Sequence, residues 1–294
     1  MEIKAKEFIK RIYQKAIKED VTSNAAQVGF YFIFAIFPLL LFLLNIIGLV
    51  LDSAEEIRNQ LFTYLQQIIP GSALKIIEET VNEVTQERSG SKLTLGILVA
   101  LWSASAGIDS LRTALNDIYD LEETRPWWKS KLFSVLLTLA IAILIFLALG
   151  VVLYGSQFIN LLISPLGLAI ESRYILGFFS FVVVGATLIL TFALIYSVVP
   201  NHKEFKWTWI TPGAVVAIIL WLIFSYGFRI YLYFFDTYSK TYGSVGAMIV
   251  LLLWLYLTAL VILIGGVVNS VGEEFSSQKP SEKKEAQTEA QTKK

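Results

Sequence analysis

The stretch LFSVLLTLAIAILIFLALGVVLY, residues 132–154, decides the fold of this chain, because it contains no charged side chain. A helix needs about 20 mostly apolar residues to cross the hydrocarbon core of a bilayer, and this stretch is long enough. Backbone groups in lipid must be hydrogen-bonded within the protein, so a helix is the expected conformation. The stretch therefore predicts a membrane-spanning helix.

The rest of the chain repeats this pattern. Of its 294 residues, 55% are hydrophobic and 16% are charged, against about 25% charged in an ordinary globular chain. We predict an all-α polytopic membrane protein with six transmembrane helices. The predicted spans are residues 25–51, 93–112, 132–154, 174–199, 210–235 and 243–269.

Basic residues predict the orientation of these spans, because Lys and Arg are retained on the cytoplasmic side. With six spans, the segments on one side hold 17 basic residues and those on the other side hold seven. Both termini are therefore predicted to be cytoplasmic. Four tryptophans, at positions 127, 128, 207 and 209, fall at the same predicted boundary and suit the headgroup region.

The segments outside the spans complete the predicted organisation. Residues 1–24 form a cytoplasmic amphipathic helix, which either lies on an anionic leaflet or packs beneath the bundle. Residues 25–271 form the membrane domain, with an extracytoplasmic insertion at 52–92 that predicts two short amphipathic helices. Residues 158–170 predict an interfacial or re-entrant segment. Residues 272–294 lack large apolar side chains and predict a disordered cytoplasmic tail.

Composition argues against several classes of chemistry. The chain has no cysteine and one histidine, so it has no thiolate site and no multi-histidine metal cluster. Its formal net charge is zero, which gives no reason to expect nucleic-acid binding. A phosphate-binding loop of the GxxxxGK[ST] type is absent, so ATP is not expected to drive it directly. We predict no catalytic residues, no metal and no cofactor; the lipid bilayer is the expected partner, and the oligomeric state is left open.

Polar side chains inside the spans identify a candidate substrate pathway. Asp109 lies in the last apolar turns of the second span, and Arg112 can pair with it on the same helix face. A charge at mid-bilayer costs at least about 2.5–3.5 kcal/mol, so Asp109 should face other helices or water. The pair either fixes the helix end to its neighbours or lines a cytoplasm-facing cavity. The candidate pathway residues, in a polar cavity between predicted spans one, two, five and six, are Asn24, Gln27, Asn45, Ser105, Asp109, Arg112, Asn116, Arg229, Asp236 and Asn269.

Four other residues are predicted to have structural roles. Pro38 should kink the first span and free a backbone carbonyl. Gly243 and Gly246, at the start of the last span, and Gly265, near its inner end, should allow close helix crossings.

Three longer segments carry a family resemblance. They are FYFIFAIFPLLLF (30–42), LWSASAGIDSLRTALNDIYDLEETRPWWK (101–129) and YGSVGAMIVLLLWLYLTALVILIGGVVNS (242–270). In these segments the chain resembles the YihY/BrkB family of bacterial inner-membrane proteins, once described as ribonuclease BN. The resemblance implies six helices with both ends cytoplasmic and a transport or export role. Val267 departs from the family pattern, which commonly has an acidic residue there, so the resemblance implies no mechanism through that carboxylate.

Three functions follow from these observations. The first is a transporter or exporter in the bacterial inner membrane, with a lipid or amphipathic solute as its cargo. The second is a non-catalytic membrane scaffold or envelope-assembly partner, which would use the acidic outer helices. The third is a ribonuclease, which needs clustered carboxylates and histidines that this chain lacks. We expect the first function and no enzymatic activity.

Overall fold

The computed structural model describes residues 2–50, 59, 62–63, 74, 90–163, 173–202, 207–234 and 237–292. All regular secondary structure in these ranges is helical, as the sequence predicts. The helices are α1 Glu2–Lys18, α2 Val21–Val50, α3 Gly90–Ile118, α4 Trp127–Ile163, α5 Arg173–Val198, α6 Pro212–Phe234 and α7 Thr237–Thr292.

The helices α2 to α7 form a closed ring. Each packs against the next in chain order, and α7 returns to pack against α2. α1 lies outside this ring and packs on α7 and α2. The ends of α3, α5 and α7 and the starts of α4 and α6 meet on the side where α1 lies, and we call this side the α1 end.

Four helical segments in the described residues are long and apolar enough to cross a membrane. They are Trp127–Val151, Ser180–Val198, Pro212–Tyr231 and Met248–Ser276. On α4, Leu132, Leu136, Ile143 and Leu147 are exposed. Exposed apolar side chains of this number on a long helix are expected where lipid covers them.

The core of the ring lies near the α1 end and is apolar. Val28 of α2, Leu115 of α3 and Leu263 of α7 are fully buried in it, and Ala217 of α6 joins them. α7 packs against α2, α3 and α6, and α2 packs against α3, so these four helices share one buried cluster. Val267, also in α7, is fully buried as well.

Two helix crossings are close enough to require glycine. A Cβ at Gly29 would lie 3.0 Å from the Cα of Tyr256, where α2 crosses α7. A Cβ at Gly265 would lie 2.7 Å from the carbonyl oxygen of Gly213, where α7 crosses α6. Gly265 therefore has the packing role expected of it.

The other three positions predicted to have structural roles lie within α2 and α7. α2 continues as a helix through Pro38. Gly246 is buried in α7, and Gly243 lies in the same helix.

Three segments outside the predicted spans differ from expectation or lie largely outside the described residues. α4 continues through 158–163, so the first part of the expected interfacial segment extends the third span. α7 continues to Thr292 where we expected disorder, and Glu, Lys, Ala and Gln, which make up most of 281–292, are good helix formers that need no core. In the insertion 52–92, the helical positions 59, 62–63 and 74 are described before α3 begins, and most of the remainder lies outside the described residues.

Candidate functional site

The last turns of α3 carry a polar stripe. Asp109, Arg112 and Asn116 share one face because they are three and four residues apart. The Arg112 Nη1 atom lies 3.2 Å from the Asp109 Oδ1 atom, so the pairing expected from the spacing is confirmed. Asp120, just beyond the helix, has a positive φ of 53°, and the Leu121 N–H donates to the Asn116 carbonyl oxygen at 2.8 Å. This left-handed cap turns the chain toward α4.

Five charged side chains meet where α3, α4 and their connection pack together. We call Asp109, Arg112, Glu123, Arg125 and Lys131 the ion-pair cluster. The Lys131 Nζ atom lies 2.7 Å from the Asp109 Oδ2 atom, and the Arg112 Nε atom lies 3.2 Å from the Glu123 Oε2 atom. The Arg125 Nε atom lies 2.8 Å from the Glu123 Oε1 atom. Three bases and two acids give the cluster a formal charge of +1.

Hydrogen bonds hold the central guanidinium of this cluster against α4. Arg112 donates to the carbonyl oxygen of Ser130 and to the hydroxyl of Ser134, each at 2.8 Å. Its side chain is largely buried. Burial alone would raise the pKa of Glu123, but the hydrogen bonds and charge of Arg125, together with the charge of Arg112, lower it. Glu123 is therefore an anion at neutral pH.

The ion-pair cluster borders the lipid-facing surface of the bundle. Lys131 lies 4.8 Å from the ring centroid of Trp102, which packs edge-on against Trp127 at 6.3 Å. The two indoles are 51% and 74% exposed. Tryptophans and basic residues together are typical of the headgroup region of a bilayer.

A second polar contact joins the connection after α3 to the connection after α5. Asn116 is buried, and its Oδ1 atom accepts the N–H of Asn201 at 2.8 Å. Asn201 in turn donates from its amide to the Glu122 carbonyl oxygen at 2.8 Å and to the Thr124 hydroxyl at 3.1 Å. These bonds fix two connections whose backbone groups would otherwise lack partners.

Asn269 caps the start of α6 from within α7. Its Oδ1 atom accepts the N–H of Gly213 at 2.7 Å, and its Nδ2 atom donates to the Thr211 hydroxyl at 2.9 Å. The Thr211 hydroxyl also accepts the N–H of Ala214 at 3.1 Å. The first N–H groups of a helix have no partner within the helix, so this side chain stabilises the α6–α7 crossing.

α1 is attached to the ring by a buried lysine. The Lys15 Nζ atom lies 2.9 Å from the Asp120 Oδ2 atom and 2.6 Å from the Glu274 Oε1 atom, and we call these three residues the Lys15 latch. Burial opposes the charge of Lys15, but hydrogen bonds and charges from Glu274 and Asp120 outweigh it and raise its pKa. The hydrogen bond from Lys15 lowers the pKa of Asp120.

The structure places the candidate pathway residues at several separate sites. Asp109, Arg112 and Asn116 come together with Glu123, whereas Asn269 lies at the α6–α7 crossing. The described partners of Asp109 and Arg112 lie on α3, on α4 and in the α3–α4 connection. The polar cavity expected among α2, α3, α6 and α7 stays a prediction; the described buried side chains there are mostly apolar, with Ser105, Asn116 and Asn269 buried on the same helices.

The remaining candidates make local contacts or are exposed. Ser105 is fully buried and donates to a carbonyl oxygen one turn earlier on α3, at 2.6 Å. Asn24 donates to the Glu19 carbonyl oxygen at 2.8 Å, just beyond the end of α1. Gln27 and Arg229 are exposed. The side chain of Asn45 and all of Asp236 lie outside the described residues.

Sequence reasoning missed several partners in these sites. Lys131, Glu123 and Asn201 reach the α3 stripe only after the chain has turned, so no fixed spacing connects them to it. Gly213 directly follows a proline at the start of an apolar span. This position at a helix start was the signal in the sequence that its N–H would need a partner from outside the helix. Lys15 had a weaker signal, since it was one of six basic residues before the first span.

The described residues enclose a small apolar cavity and hold no cluster of metal ligands. A cavity of about 170 Å³ lies between α5 and α6, lined by apolar and aromatic side chains that include Ile189, Trp209 and Ile218. In these ranges no three histidine, cysteine or carboxylate side chains come together as a metal site requires.

Long apolar helices with lipid-facing side chains, and charges collected at one end, define a polytopic helical membrane protein. The sequence profile of the family described as Virulence factor BrkB matches residues 12–291. The chain therefore belongs to the BrkB family, and the resemblance found in the sequence is confirmed.

Relatives cover most of the chain. The ribonuclease-like protein YfkH of Bacillus subtilis is 31% identical over 264 residues, which cover 90% of this chain and 94% of that protein. A UPF0761 membrane protein of Idiomarina loihiensis is 35% identical over 237 residues, covering 78% and 76% of the two chains. A UPF0761 membrane protein of Xanthomonas oryzae is 25% identical over 271 residues, covering 91% of this chain and 61% of that protein. No solved structure matches the chain. With its apolar helices, the chain is a multi-pass bacterial membrane protein.

Proposed function

We propose that this chain is a transporter or exporter that moves a lipid or another amphipathic solute across the bacterial cell membrane. The observation that carries the proposal is the position of the ion-pair cluster at the lipid-facing seam between α3 and α4. Leu98 and Val99 on α3, and Leu132 and Leu136 on α4, are exposed beside this seam. An amphipathic molecule has a charged end that suits the cluster and an apolar part that suits these side chains.

The proposed topology has six spans, α2 to α7, with both termini in the cytoplasm. The imbalance of 17 basic residues against seven supports this orientation. α2 and α3 have 30 and 29 residues, or about 45 Å of helix each, enough to cross the hydrocarbon core. In this topology the ion-pair cluster lies near the cytoplasmic boundary.

The proposed mechanism is an exchange of ionic partners. In the structure, Arg112 and Lys131 are held by Asp109 and Glu123. An anionic headgroup that enters the seam replaces these carboxylates as the partner of the two cations. Glu123 keeps Arg125 as a partner in this exchange, and Asp109 must turn to water, because a buried charge without a partner is costly. The apolar core among α2, α3, α6 and α7 closes the α1 end of the bundle. In the proposed mechanism this end opens when α3 and α4 separate.

The test is translocation of fluorescent phosphatidylglycerol in vesicles that contain the purified protein, read by dithionite bleaching of the outer leaflet. We expect translocation above that of protein-free vesicles. Arg112→Gln should slow it roughly tenfold, equivalent to about 1.4 kcal/mol of lost binding in the rate-limiting state.

A control removes one positive charge from the exposed surface beside the cluster. Lys129 lies two residues from Lys131, over the ring of Trp128, and outside the ion-pair cluster. Lys129→Gln should translocate the probe at the rate of the unmodified protein. Equal slowing by both substitutions, or translocation no faster than in protein-free vesicles, would contradict the proposal.

A membrane scaffold is the second candidate, and the close helix crossings favour it. Gly29 against Tyr256 and Gly213 against Gly265 leave no space for cargo at those positions. A scaffold predicts that Arg112→Gln leaves function intact and that replacing surface residues in 55–87 abolishes it. We propose no enzymatic role for either candidate, and the ribonuclease-like name belongs to the Bacillus subtilis relative.

A further inference from the structure

α1 crosses α7 near one point instead of running alongside it. The Phe8 ring lies 5.6 Å from the Phe275 ring, and the Arg11 guanidinium lies 4.5 Å from the centroid of the same ring. Lys15 reaches Glu274, the neighbouring residue of α7. Positions 8 and 15 lie about 10 Å apart along α1, yet Phe8, Arg11 and Lys15 all contact one turn of α7. α1 therefore lies across the end of the bundle.

Chain continuity places α1 close to the apolar layer. α1 ends at Lys18, and α2 begins at Val21 and continues as an apolar helix. Val21 is buried in the core of the ring. A helix that crosses α7 and joins α2 within two residues is positioned at the membrane boundary.

A second apolar stripe on α1 has no partner within the described bundle. Ile9, Tyr13 and Ile17 are four residues apart, so they share one face. They are 65%, 67% and 61% exposed. At about 100° per residue, this stripe lies roughly a third of a turn around the helix from the face that carries Phe8 and Lys15.

Polar residues occupy the rest of the α1 surface. Glu7, Gln14 and Lys18 lie together on the exposed face farthest from the apolar side chains. α1 thus has three sectors, of which one packs on the bundle, one is apolar and exposed, and one is polar. These three sectors are what we expect of a helix that contacts protein on one side, lipid on the second and water on the third.

The charge beside the exposed stripe indicates the sign of its partner. Lys6 and Lys10 are exposed and lie on the edge of the stripe. α1 carries six basic and two acidic residues in all. A basic helix with an exposed apolar stripe is attracted to an anionic lipid surface.

We infer that the stripe of Ile9, Tyr13 and Ile17 inserts into the headgroup–acyl boundary of an anionic leaflet, with Lys6 and Lys10 on acidic headgroups. α1 then binds lipid on one side and the ring on the other, through the Lys15 latch. This interaction does not depend on what the protein transports.

The chain has no cysteine, so single-cysteine labelling of the full-length protein reads one position at a time. Tyr13→Cys reports the stripe, and Gln14→Cys is the matched control on the polar sector. Each variant carries an environment-sensitive fluorophore and is reconstituted into phosphatidylcholine vesicles with or without phosphatidylglycerol. Quenching is measured with lipid-attached nitroxide and, separately, with iodide in the buffer.

In vesicles with phosphatidylglycerol, we expect lipid nitroxide to quench the label at position 13 several-fold more than the label at position 14, and iodide to show the reverse. Replacing Lys6 and Lys10 with glutamine should remove the effect of phosphatidylglycerol at position 13. Equal iodide quenching at both positions would overturn the inference. Protection of position 13 from both quenchers would also overturn it, because a second copy or another protein would then cover the stripe.

Discussion

The Arg112 guanidinium makes four polar contacts at the α1 end of the bundle. Its partners come from its own helix, from α4 and from the α3–α4 connection. The spacing of the sequence identified only the partner on the same helix, because positions three apart on a helix are neighbours wherever the helix lies. The partners on α4 and in the connection depend on the cap at Asp120, whose left-handed conformation no spacing rule reveals.

Gly265 is a residue at which one added methyl group would have no room, because α7 lies close to α5 and α6 there. A Cβ there would meet the Tyr196 hydroxyl, the Gly213 carbonyl oxygen and the Ala217 Cβ atom. We expect Gly265→Ala to lower the free energy of unfolding by about 1–3 kcal/mol, because overpacking forces α6 and α7 apart. Thermal unfolding in detergent, followed by circular dichroism, measures this loss.

The control is a glycine in an open position of another helix. A Cβ at Gly185, in α5, would meet nothing within 4 Å. Gly185→Ala should leave stability unchanged or raise it by about 0.5–1 kcal/mol, since alanine is the better helix former. Equal losses in the two variants would contradict a close α6–α7 crossing.

At the scale of the elements, attachment of α1 through the Lys15 latch should be constant over a wide pH range. The pKa of Asp120 is lowered below 3.8, so its contribution is complete above that pH and is lost as the pH falls further. The pKa of Lys15 is raised above 10.5, so its contribution is complete below that pH and is lost as the pH rises further. Between these limits we expect no change.

The distance between spin labels at Gln14→Cys and Glu273→Cys measures this attachment. It should stay constant between pH 5 and pH 9, within the limits set by the 3.8 and 10.5 values, and lengthen in acid. Lys15→Gln should lengthen it at neutral pH as well. A transition near pH 6 or 7 would show that another group controls the attachment.

The elements themselves differ in how well the sequence predicted them. α4 and α5 were predictable because each contains a long uncharged stretch, and only helices satisfy the backbone in lipid. The lack of large apolar residues in 272–294 predicts disorder, whereas the good helix formers there allow α7 to continue to Thr292. The α6 cap by Asn269 was missed because it joins positions 56 residues apart.

At the scale of the whole molecule, the proposed topology has an accessible test. A cysteine placed after Lys294 should react with an impermeant maleimide only once the cells are permeabilised, because both termini are proposed to be cytoplasmic. A cysteine in the insertion 52–92 should react in intact cells. If the C-terminal cysteine reacted in intact cells, the C-terminus would lie outside the cytoplasm. That result would contradict the proposed even number of spans with a cytoplasmic N-terminus.

The central claim is that an amphipathic cargo passes along the seam between α3 and α4, and a reversible cross-link across that seam tests it most directly. The rings of Trp102 and Trp127 lie 6.3 Å apart on the two helices, so Trp102→Cys with Trp127→Cys can be joined by a short bismaleimide that contains a disulfide. Translocation of fluorescent phosphatidylglycerol is read here by extraction of the outer leaflet with albumin, because dithionite would reduce the linker. We expect it to fall to the rate of protein-free vesicles when the cross-link forms, and to recover when the disulfide is reduced. Unchanged translocation at complete cross-linking would contradict the account.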